Sequence, residues 1–452
     1  MIFLDALDVS MVGVALPAIQ HDLGLSTSSL QWVVSGYVLG YGGLLLLGGR
    51  TADLLGRRRV FLVALGVFAI ASLLGGLVDD GTLLIVARFV KGVGAAFTAP
   101  AALSIITTTF PEGPERNKAL SIFTACGASG YSLGLVLSGL LTEIGWRWTL
   151  LMPVPVAIIA LVAALKVLPR STEERAEGGH DLIGAVLITA SMLLLVFTVV
   201  QAPEAGWTSP RTIGSLVAVA ALLGLFVFAE LRMKHPLVRL GILRSGSLVR
   251  ANLGLLILMG SYVAFQFVAM QYFQNLLGWS ALGTALAFLP AGLLVAISST
   301  KMGDFADRFG TTKLATIGAA ALAGGYAMFL GIDERPSLGG LVIPGMLLLG
   351  IAFALSFAPL NIQATNGVND DEQGLASGLL NTSGQVGGAI VLAAVSAVLS
   401  SGGTTLSIDT LRSAIVVSLV LALVGVAISA TGLRARKPAV AEQEDAKVLE
   451  TV

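Results

Sequence analysis

The sequence GRTADLLGRRR at residues 49–59 recurs later in the chain as GDFADRFGTTK at residues 303–313. Both segments follow the pattern G-x-x-A-D-x-x-G-x-x-[RK], and every matched position is separated by the same offset. The matched positions are Gly49, Ala52, Asp53, Gly56 and Arg59 in the first copy and Gly303, Ala306, Asp307, Gly310 and Lys313 in the second. A match of this length in one register predicts an internal repeat, and therefore a fold with two related halves.

The composition indicates that both halves lie in a membrane. Of the 452 residues, 55% are hydrophobic and 12% are charged, whereas charged residues make up about 25% of an ordinary soluble domain. Lys plus Arg and Asp plus Glu both number 27, so the charge balance predicts no nucleic-acid partner. The single cysteine, Cys126, excludes an internal disulfide and a cysteine-based metal cluster.

Apolar windows of about 18–25 residues mark candidate transmembrane helices. The sequence contains fourteen such windows, at 2–20, 30–49, 60–78, 83–109, 119–142, 148–168, 182–201, 211–231, 248–275, 281–300, 314–332, 338–361, 374–400 and 411–433. The first repeat copy follows the second window and the second copy follows the tenth, so the seventh and eighth windows are an inserted pair. We therefore predict an all-α polytopic membrane protein with two six-helix bundles and two inserted central helices. The expected segments are an N-terminal bundle at 1–168, the inserted helices with linkers at 169–246, a C-terminal bundle at 247–433 and a disordered cytoplasmic tail at 434–452.

The distribution of basic residues predicts the orientation of the chain. Most of the 27 Lys and Arg residues fall in alternate loops and in the C-terminal tail. Because cytoplasmic loops carry an excess of Lys and Arg, both termini are expected in the cytoplasm. The first apolar stretch has no basic leader and no small-residue cleavage site, so we expect a retained span rather than a signal peptide.

The residue types in the repeated loop indicate what the loop can do. Its glycines permit a tight turn and a close approach of backbone, and Asp53 can cap a helix N-terminus or pair with the nearby arginines, which links two helices. The alternative is a basic loop that only sets topology. The predicted conformational-switch loop comprises Gly49, Asp53, Gly56, Arg57, Arg59, Gly303, Asp307 and Gly310.

The first window, within MIFLDALDVSMVGVALPAIQ at residues 1–20, contains Asp5 and Asp8. The two are three residues apart, so they share a helix face, and ionisable residues in membranes mark ion or substrate pathways. Burial and a neighbouring carboxylate both favour the neutral form of a carboxyl group, so such a pair can exchange protons near neutral pH. We therefore predict a proton-coupling role for Asp8 and Asp5, either of which can also face a cationic drug. The alternative for Asp5 is contact with water at the cytoplasmic interface.

Arg88 and Lys91 are also three residues apart, on the fourth window. A buried arginine needs an acidic or carbonyl partner, and Asp8 is the candidate, in a pair that opens on protonation. The alternative places both basic residues near the outer mouth, where they pair with Asp79 or Asp80.

Uncharged polar and aromatic residues supply candidates for a substrate cavity. These are Tyr37, Tyr41, Gln266, Asn381 and Gln385. The tyrosines can form an aromatic wall for a hydrophobic cation, whereas the amides have the alternative of interhelical hydrogen bonds. A ladder of small residues in the fifth window predicts close helix approach, as static packing or as a sliding contact: Gly127, Gly130, Gly134 and Ser138.

Several stretches resemble the major facilitator superfamily, specifically its fourteen-span drug:proton antiporters. They include LDVSMVGVALPAIQHDL, RFVKGVGAAFTAP and QYFQNLLGWSALGTALAFLPAG, together with the repeated loop. The resemblance implies that Asp8, Asp53 and Arg88 occupy functional positions of the family. Gly13 and Lys91 depart from its usual Asn and Gln, and Leu135 follows Gly134 where the family has a Gly-Pro pair associated with antiport.

The expected function is secondary export of small hydrophobic or cationic compounds in exchange for protons by alternating access, from a bacterial cytoplasmic (inner) membrane. The alternatives are a narrow-specificity metabolite or antibiotic exporter and a carrier with another form of coupling. The expected partners are a small-molecule substrate, protons and the lipid bilayer, with a monomeric protein and no cofactor. An intramembrane enzyme is disfavoured because the three histidines form no metal-ligand or nucleophile–base pattern.

Overall fold

A computed structural model describes residues 1–25, 27–168, 182–233, 240–299, 301–369, 372–401 and 407–434. Every regular element in these ranges is helical, which confirms the all-α prediction. The predicted tail lies outside the described residues beyond Arg434, as does most of the linker before the inserted helices.

The N-terminal half begins with five long helices and ends in a broken one. They are α1 (Ile2–Leu23), α2 (Thr27–Leu55), α3 (Arg57–Leu77), α4 (Gly81–Thr109), α5 (Pro114–Ile144), α6 (Arg147–Leu151) and α7 (Pro153–Val167). Two central helices follow, α8 (Leu182–Ala205) and α9 (Pro210–Arg232).

The C-terminal half contains the remaining helices. They are α10 (Gly246–Met270), α11 (Ala281–Ser299), α12 (Met302–Phe309), α13 (Thr311–Phe329), α14 (Ile343–Thr365), α15 (Gln373–Ser401) and α16 (Ile408–Arg434). A π-helical turn, Gln271–Leu276, extends α10, and a second, Leu338–Val342, leads into α14.

Each of the fourteen apolar windows coincides with a helix or a broken helix. Among the described residues, ten helices are long and apolar enough to cross a membrane, or eleven if the bent pair of α11 and α12 is one span. The helix axis bends by 68° between α11 and α12. The chain is therefore a multi-pass helical membrane protein, and fourteen as the number of spans stays a prediction.

The two repeat copies form equivalent turns. Gly56 separates α2 from α3 with φ 92°, and Gly310 separates α12 from α13 with φ 83°. A side chain strains the backbone at such positive φ values, which is why glycine recurs at this position of the repeat. We call the end of the molecule where these turns lie the loop end.

Helices of the two halves pack in a crossed arrangement. Within the halves, α1 packs on α5 and α2 on α4, while α10 packs on α15 and α13 on α14. Between them, α2 contacts α15 and α5 contacts α11. The central helix α8 covers α2 and also contacts α15, so it is attached to the outside of this interface.

The small-residue ladder of α5 faces α1. A Cβ atom built on Gly130 would lie 2.3 Å from the carbonyl oxygen of Phe3, and the Ser138 hydroxyl donates a hydrogen bond to the Met11 carbonyl at 2.6 Å. The two backbones therefore touch, which fixes the position of α1 in the first half.

Candidate functional site

A buried charge cluster connects α1 and α4. Asp8 is fully buried, and its two carboxylate oxygens accept hydrogen bonds from Arg88 Nη1 and Lys91 Nζ, each at 2.5 Å. The alternative partners are engaged elsewhere: Asp79 accepts from Arg147, and Asp80 caps the start of α4. The structure thus places Asp8, Arg88 and Lys91 together.

Both cations of this cluster have further partners. Arg88 Nε donates to the Val33 carbonyl at 3.0 Å, and Lys91 Nζ donates to the Ser72 hydroxyl at 2.7 Å. Ser72 in turn donates to the Leu150 carbonyl at 2.6 Å. Ser72 was not predicted from the sequence, since a single serine in an apolar helix is usually a packing residue. The charge cluster, defined here as Asp8, Ser72, Arg88 and Lys91, is well hydrogen-bonded, as buried charges require.

Asp5 lies beside the charge cluster but outside its hydrogen bonds. The residue is 6% exposed, and among the described residues neither carboxylate oxygen has a hydrogen-bond partner. It is not at an end of the bundle, because its neighbour Phe3 contacts Gly130, midway along α5. Asp5 is therefore buried within the bundle, and its predicted role stays a prediction.

Two tyrosines of α2 cover this region. The Tyr37 and Tyr41 ring centroids are 5.8 Å apart, and the Arg88 guanidinium lies 4.7 Å from the centre of the Tyr37 ring. Tyr37 is 1% exposed, and its hydroxyl has no hydrogen-bond partner in the described chain. Tyr41 approaches Gln385 on α15, so the aromatic pair extends from the charge cluster to the second half.

The other predicted cavity residues divide between the interface and local packing. Gln266 on α10 donates to the Tyr131 hydroxyl of α5 at 3.0 Å, which joins the two halves. Asn381 donates to the Ser377 carbonyl one turn earlier on its own helix. The hydrogen bond that the structure gives the Asn381 amide therefore lies within its own helix and does not reach a cavity or another helix.

An aromatic cluster in the second half was missed by the sequence analysis. Tyr262 and Phe353 have ring centroids 5.5 Å apart, and Phe353 stacks on Phe357 at 5.1 Å. At the offset of the loop repeat, Tyr262 corresponds to Asp8. Where the N-terminal half has a carboxylate, the C-terminal half therefore has an aromatic ring at the equivalent position.

At the loop end, the first repeat copy binds the start of α15. Asp53 Oδ1 accepts from the Gly374 backbone N–H at 3.2 Å, and Oδ2 accepts from that of Leu375 at 3.1 Å. Arg57 pairs with the same carboxylate at 3.3 Å. A carboxylate at a helix N-terminus is stabilised by free N–H groups and the helix dipole. Gly49 permits this contact, because a Cβ there would lie 2.4 Å from the Gly374 carbonyl oxygen.

The second repeat copy contacts the start of α5. Asn117 donates a hydrogen bond to Asp307, and a Cβ on Gly303 would lie 2.8 Å from the Asn117 backbone. Each copy therefore touches the opposite half, as the internal repeat implies. Of the three remaining loop positions, Gly56 and Gly310 make the turns, whereas Arg59 is exposed.

Two residues near the start of α5 complete the contacts at the loop end. Glu112 lies just before the helix, and Arg116 lies in its first turn. Arg116 donates to the Thr365 carbonyl at 3.1 Å and to Gln373 Oε1 at 3.2 Å, and Glu112 accepts from the Gly367 N–H at 2.7 Å. From the sequence, this segment is expected only to connect two helices. We define the loop interface as Asp53, Glu112, Arg116, Asn117 and Asp307 with their partners.

At the opposite end, the polar contacts that the structure shows stay within one half. Arg147 pairs with Asp22 at 2.7 Å and with Asp79 at 2.5 Å, all in the N-terminal half. In the C-terminal half, Arg412 donates to the Leu330 and Ile332 carbonyls. The halves are thus joined through polar groups at the loop end and held separately at the other.

No group of three His, Cys, Asp or Glu side chains suited to a metal ion occurs among the residues that the structure describes. The polar groups buried between α1, α2 and α4 include an ion pair with an extra cation, a carboxylate without a hydrogen-bond partner in the described chain, and two tyrosines. Two linked helical halves with ionisable groups buried between membrane helices define the class of transport proteins.

The chain belongs to the major facilitator superfamily. The sequence profile described as Major Facilitator Superfamily matches residues 1–392. The chain is 36% identical to the "Uncharacterized MFS-type transporter EfpA" of Mycobacterium tuberculosis, over 89% of this chain and 77% of that protein. It is 38% identical to the "Cephamycin export protein CmcT" of Amycolatopsis lactamdurans, over 88% of this chain and 83% of the relative.

Solved structures agree with the fold. The crystal structure of the human organic anion transporter MFSD10 (TETRAN) superposes with a TM-score of 0.66, over 95% of this chain and 97% of that chain. At 17% identity, this likeness shows the fold alone. The family and the relatives together indicate a transporter rather than an enzyme.

Proposed function

We propose that this protein is a proton-driven exporter of small hydrophobic or cationic compounds, in the fourteen-span drug:proton antiporter group of the superfamily. The observation that carries the proposal is the charge cluster, in which a buried carboxylate on α1 is held by two cations on α4. Such an arrangement has two states, because a proton on Asp8 removes the charge that both cations require.

The geometry of the cluster supports a route for this proposed coupling. With Asp8 ionised, its contacts to Arg88 and Lys91 hold α1 against α4. Protonation weakens both contacts, and α1 is then free to move with α5, to which it is joined by backbone contact. Proton uptake on one side and release on the other would drive the change of access.

The loop interface supports one particular state of this cycle. Its contacts join the halves at the loop end, which we propose is the cytoplasmic end of a protein in a bacterial inner membrane, with both termini inside. The interface between the halves is then closed at the cytoplasmic end, as an outward-facing state of the cycle requires.

A narrow-specificity antibiotic exporter is the second candidate. The observation that favours it is the name of a relative, which describes a cephamycin export protein. Both candidates use the same charge cluster and differ in the residues that contact the substrate.

Proton release from energised everted vesicles tests the proposed function. Adding tetraphenylphosphonium, ethidium or a neutral antibiotic is expected to discharge the proton gradient in vesicles that contain the protein. Vesicles without the protein are the control. Substrate uptake that continues unchanged after a protonophore has removed the gradient would contradict proton coupling.

Replacing Asp53 by Asn is expected to weaken the loop interface. The change removes the charge that the α15 N-terminus and Arg57 both contact, and hydrogen bonds to charged groups contribute about 1.5–3 kcal/mol. We expect the closed loop end to lose about tenfold or more in population. Labels on the exposed residues Leu55 and Asn369, with Cys126 replaced by Ser, would report a longer distance.

Asp304→Asn is the matched control, because Asp304 is an exposed carboxylate in the second repeat copy. It should leave the distance between the two labels unchanged. An unchanged distance in Asp53→Asn as well would show that the loop interface does not depend on this carboxylate.

A further inference from the structure

The two repeat copies differ in the helix that leads into the turn. In the first copy, α2 runs unbroken over Thr27–Leu55. In the second copy, the helix axis bends by 68° between α11 and α12. Since spans are tilted by only about 20° on average from the bilayer normal, a helix at this angle to its span runs closer to the membrane plane. The second copy therefore carries a short helix, α12, at the membrane surface of the loop end.

The residues of α12 also depart from the repeat. Three positions differ in character: Phe305, Arg308 and Phe309 in the second copy, and Thr51, Leu54 and Leu55 in the first. The two phenylalanines are one helical turn apart, with ring centroids separated by 5.9 Å, and they are 40% and 45% exposed. Gly303 and Ala306 on another face are buried, and Gly303 contacts the Asn117 backbone of α5. The aromatic face of α12 is therefore additional to the contact between the halves.

This aromatic face borders an apolar groove between α12, α13 and α14. The groove has a volume of about 250 Å³ and is lined by Phe305, Phe309, Lys313, Leu314, Ile317 and Leu355. Ile317 is 55% exposed. Leu355 lies on the opposite side of α14 from Phe353 and Phe357, because it stands two residues from each. The groove therefore opens away from the aromatic cluster of the second half, toward the surface that lipid contacts.

Basic side chains surround the groove. Lys313 lines it with the apolar part of its side chain, which leaves the ammonium group to extend toward the water. Lys301 and Arg308 are exposed and lie four residues before and three residues after Phe305, so they share its side of α12. Aromatic residues with basic residues beside them are typical of helices at the membrane interface.

The carboxylates of α12 do not cancel this positive charge. Asp307 stands two residues after Phe305 and accepts a hydrogen bond from Asn117 of the other half, so it points away from the groove. Asp304 is exposed and is a single negative charge beside three cations. None of the three cations forms an ion pair with a carboxylate among the described residues. The edge of the groove is therefore positive and complementary to an anion.

We propose that this groove binds an anionic phospholipid from the leaflet at the loop end. One acyl chain lies between α12, α13 and α14, and the headgroup phosphate contacts Arg308 and Lys313. Basic pockets between membrane helices are suited to anionic headgroups. A soluble anion gains nothing from the apolar groove, and a zwitterionic lipid gains less from the positive edge. The occupant that uses both parts of the site is an anionic lipid.

Binding of phosphatidylglycerol and phosphatidylcholine with identical acyl chains, measured by native mass spectrometry of the delipidated full chain in detergent, tests the proposal. The wild type is expected to bind its first phosphatidylglycerol about tenfold more tightly than its first phosphatidylcholine. The double variant Arg308→Gln/Lys313→Gln should bind phosphatidylglycerol about tenfold or more weakly. Arg59→Gln is the matched control, because Arg59 is an exposed cation at the position of the first copy equivalent to Lys313. It should bind both lipids like the wild type.

A second variant tests the groove without changing the charge. Ile317→Trp places a larger side chain in the groove and leaves all three cations, and it should weaken phosphatidylglycerol binding about tenfold. Wild-type binding by Ile317→Trp would show that the headgroup binds without an acyl-chain site, which contradicts the proposal. Equal wild-type affinity for the two lipids, or the same loss in Arg59→Gln as in the double variant, would also overturn it. Thermal unfolding without added lipid identifies any variant with a folding defect.

Discussion

Replacing Asp8 by Asn is expected to reduce gradient-driven transport by more than about 100-fold and to lower the stability of the protein. The variant leaves Arg88 and Lys91 buried without their counter-ion. Removing one partner of a buried ion pair costs about 3–5 kcal/mol, because the other charge remains in the interior. Proton release from vesicles and thermal unfolding in detergent measure the two effects.

A second substitution separates stability from coupling. Adding Lys91→Gln to Asp8→Asn removes one of the two uncompensated cations, so the double variant should unfold at a higher temperature than Asp8→Asn. Transport should stay at background, since the proton-binding carboxylate is still absent. Recovery of proton-coupled transport in the double variant would show that Asp8 contributes only to folding.

Replacing Gly130 by Ala is expected to be the most damaging of the single-methyl additions on α5. The added Cβ would lie 2.3 Å from the Phe3 carbonyl oxygen and 2.9 Å from the Phe3 Cα atom. These are backbone atoms, so α1 has to move away from α5. Overpacking of this kind costs about 1–3 kcal/mol, and the shift displaces Asp5 and Asp8. We expect a lower unfolding temperature and a loss of transport of about tenfold or more.

Gly139→Ala is the matched control on the same helix. A Cβ there meets no atom within 4 Å, and alanine is a better helix former than glycine by up to about 1 kcal/mol. That variant should be as stable as the wild type or slightly more stable, with normal transport. Equal stability of the Gly130→Ala and Gly139→Ala variants would contradict the backbone contact between α1 and α5.

The sequence alone predicts those parts of the fold and of the site that depend on a local pattern of residues. The apolar windows match helices because a membrane requires long stretches without charge. Asp8 and Asp53 stand out because a carboxylate in such a stretch, or between repeated glycines, has no simple packing role. The number of spans does not follow in the same way, since only some of the helices are clearly long and apolar.

The missed residues have ordinary sequence surroundings and acquire their roles through contacts between distant segments. Ser72 joins Lys91 to the Leu150 carbonyl, and Arg116 meets Thr365 and Gln373 in the other half. Nothing within a few residues of either position distinguishes it from a packing serine or a topology-setting arginine. Phe353 and Phe357 are also inconspicuous, because phenylalanine is common in any membrane helix.

The position of α5 affects how substitutions that alter transport by this protein should be interpreted. The same helix touches the backbone of α1 near Asp5 and Asp8 and carries Arg116 and Asn117 at its start. A substitution that displaces α5 therefore disturbs both the proposed proton coupling and the contact between the halves. Its phenotype alone does not identify which of the two has failed, and variants of α5 need a binding and a distance measurement before a defect is assigned.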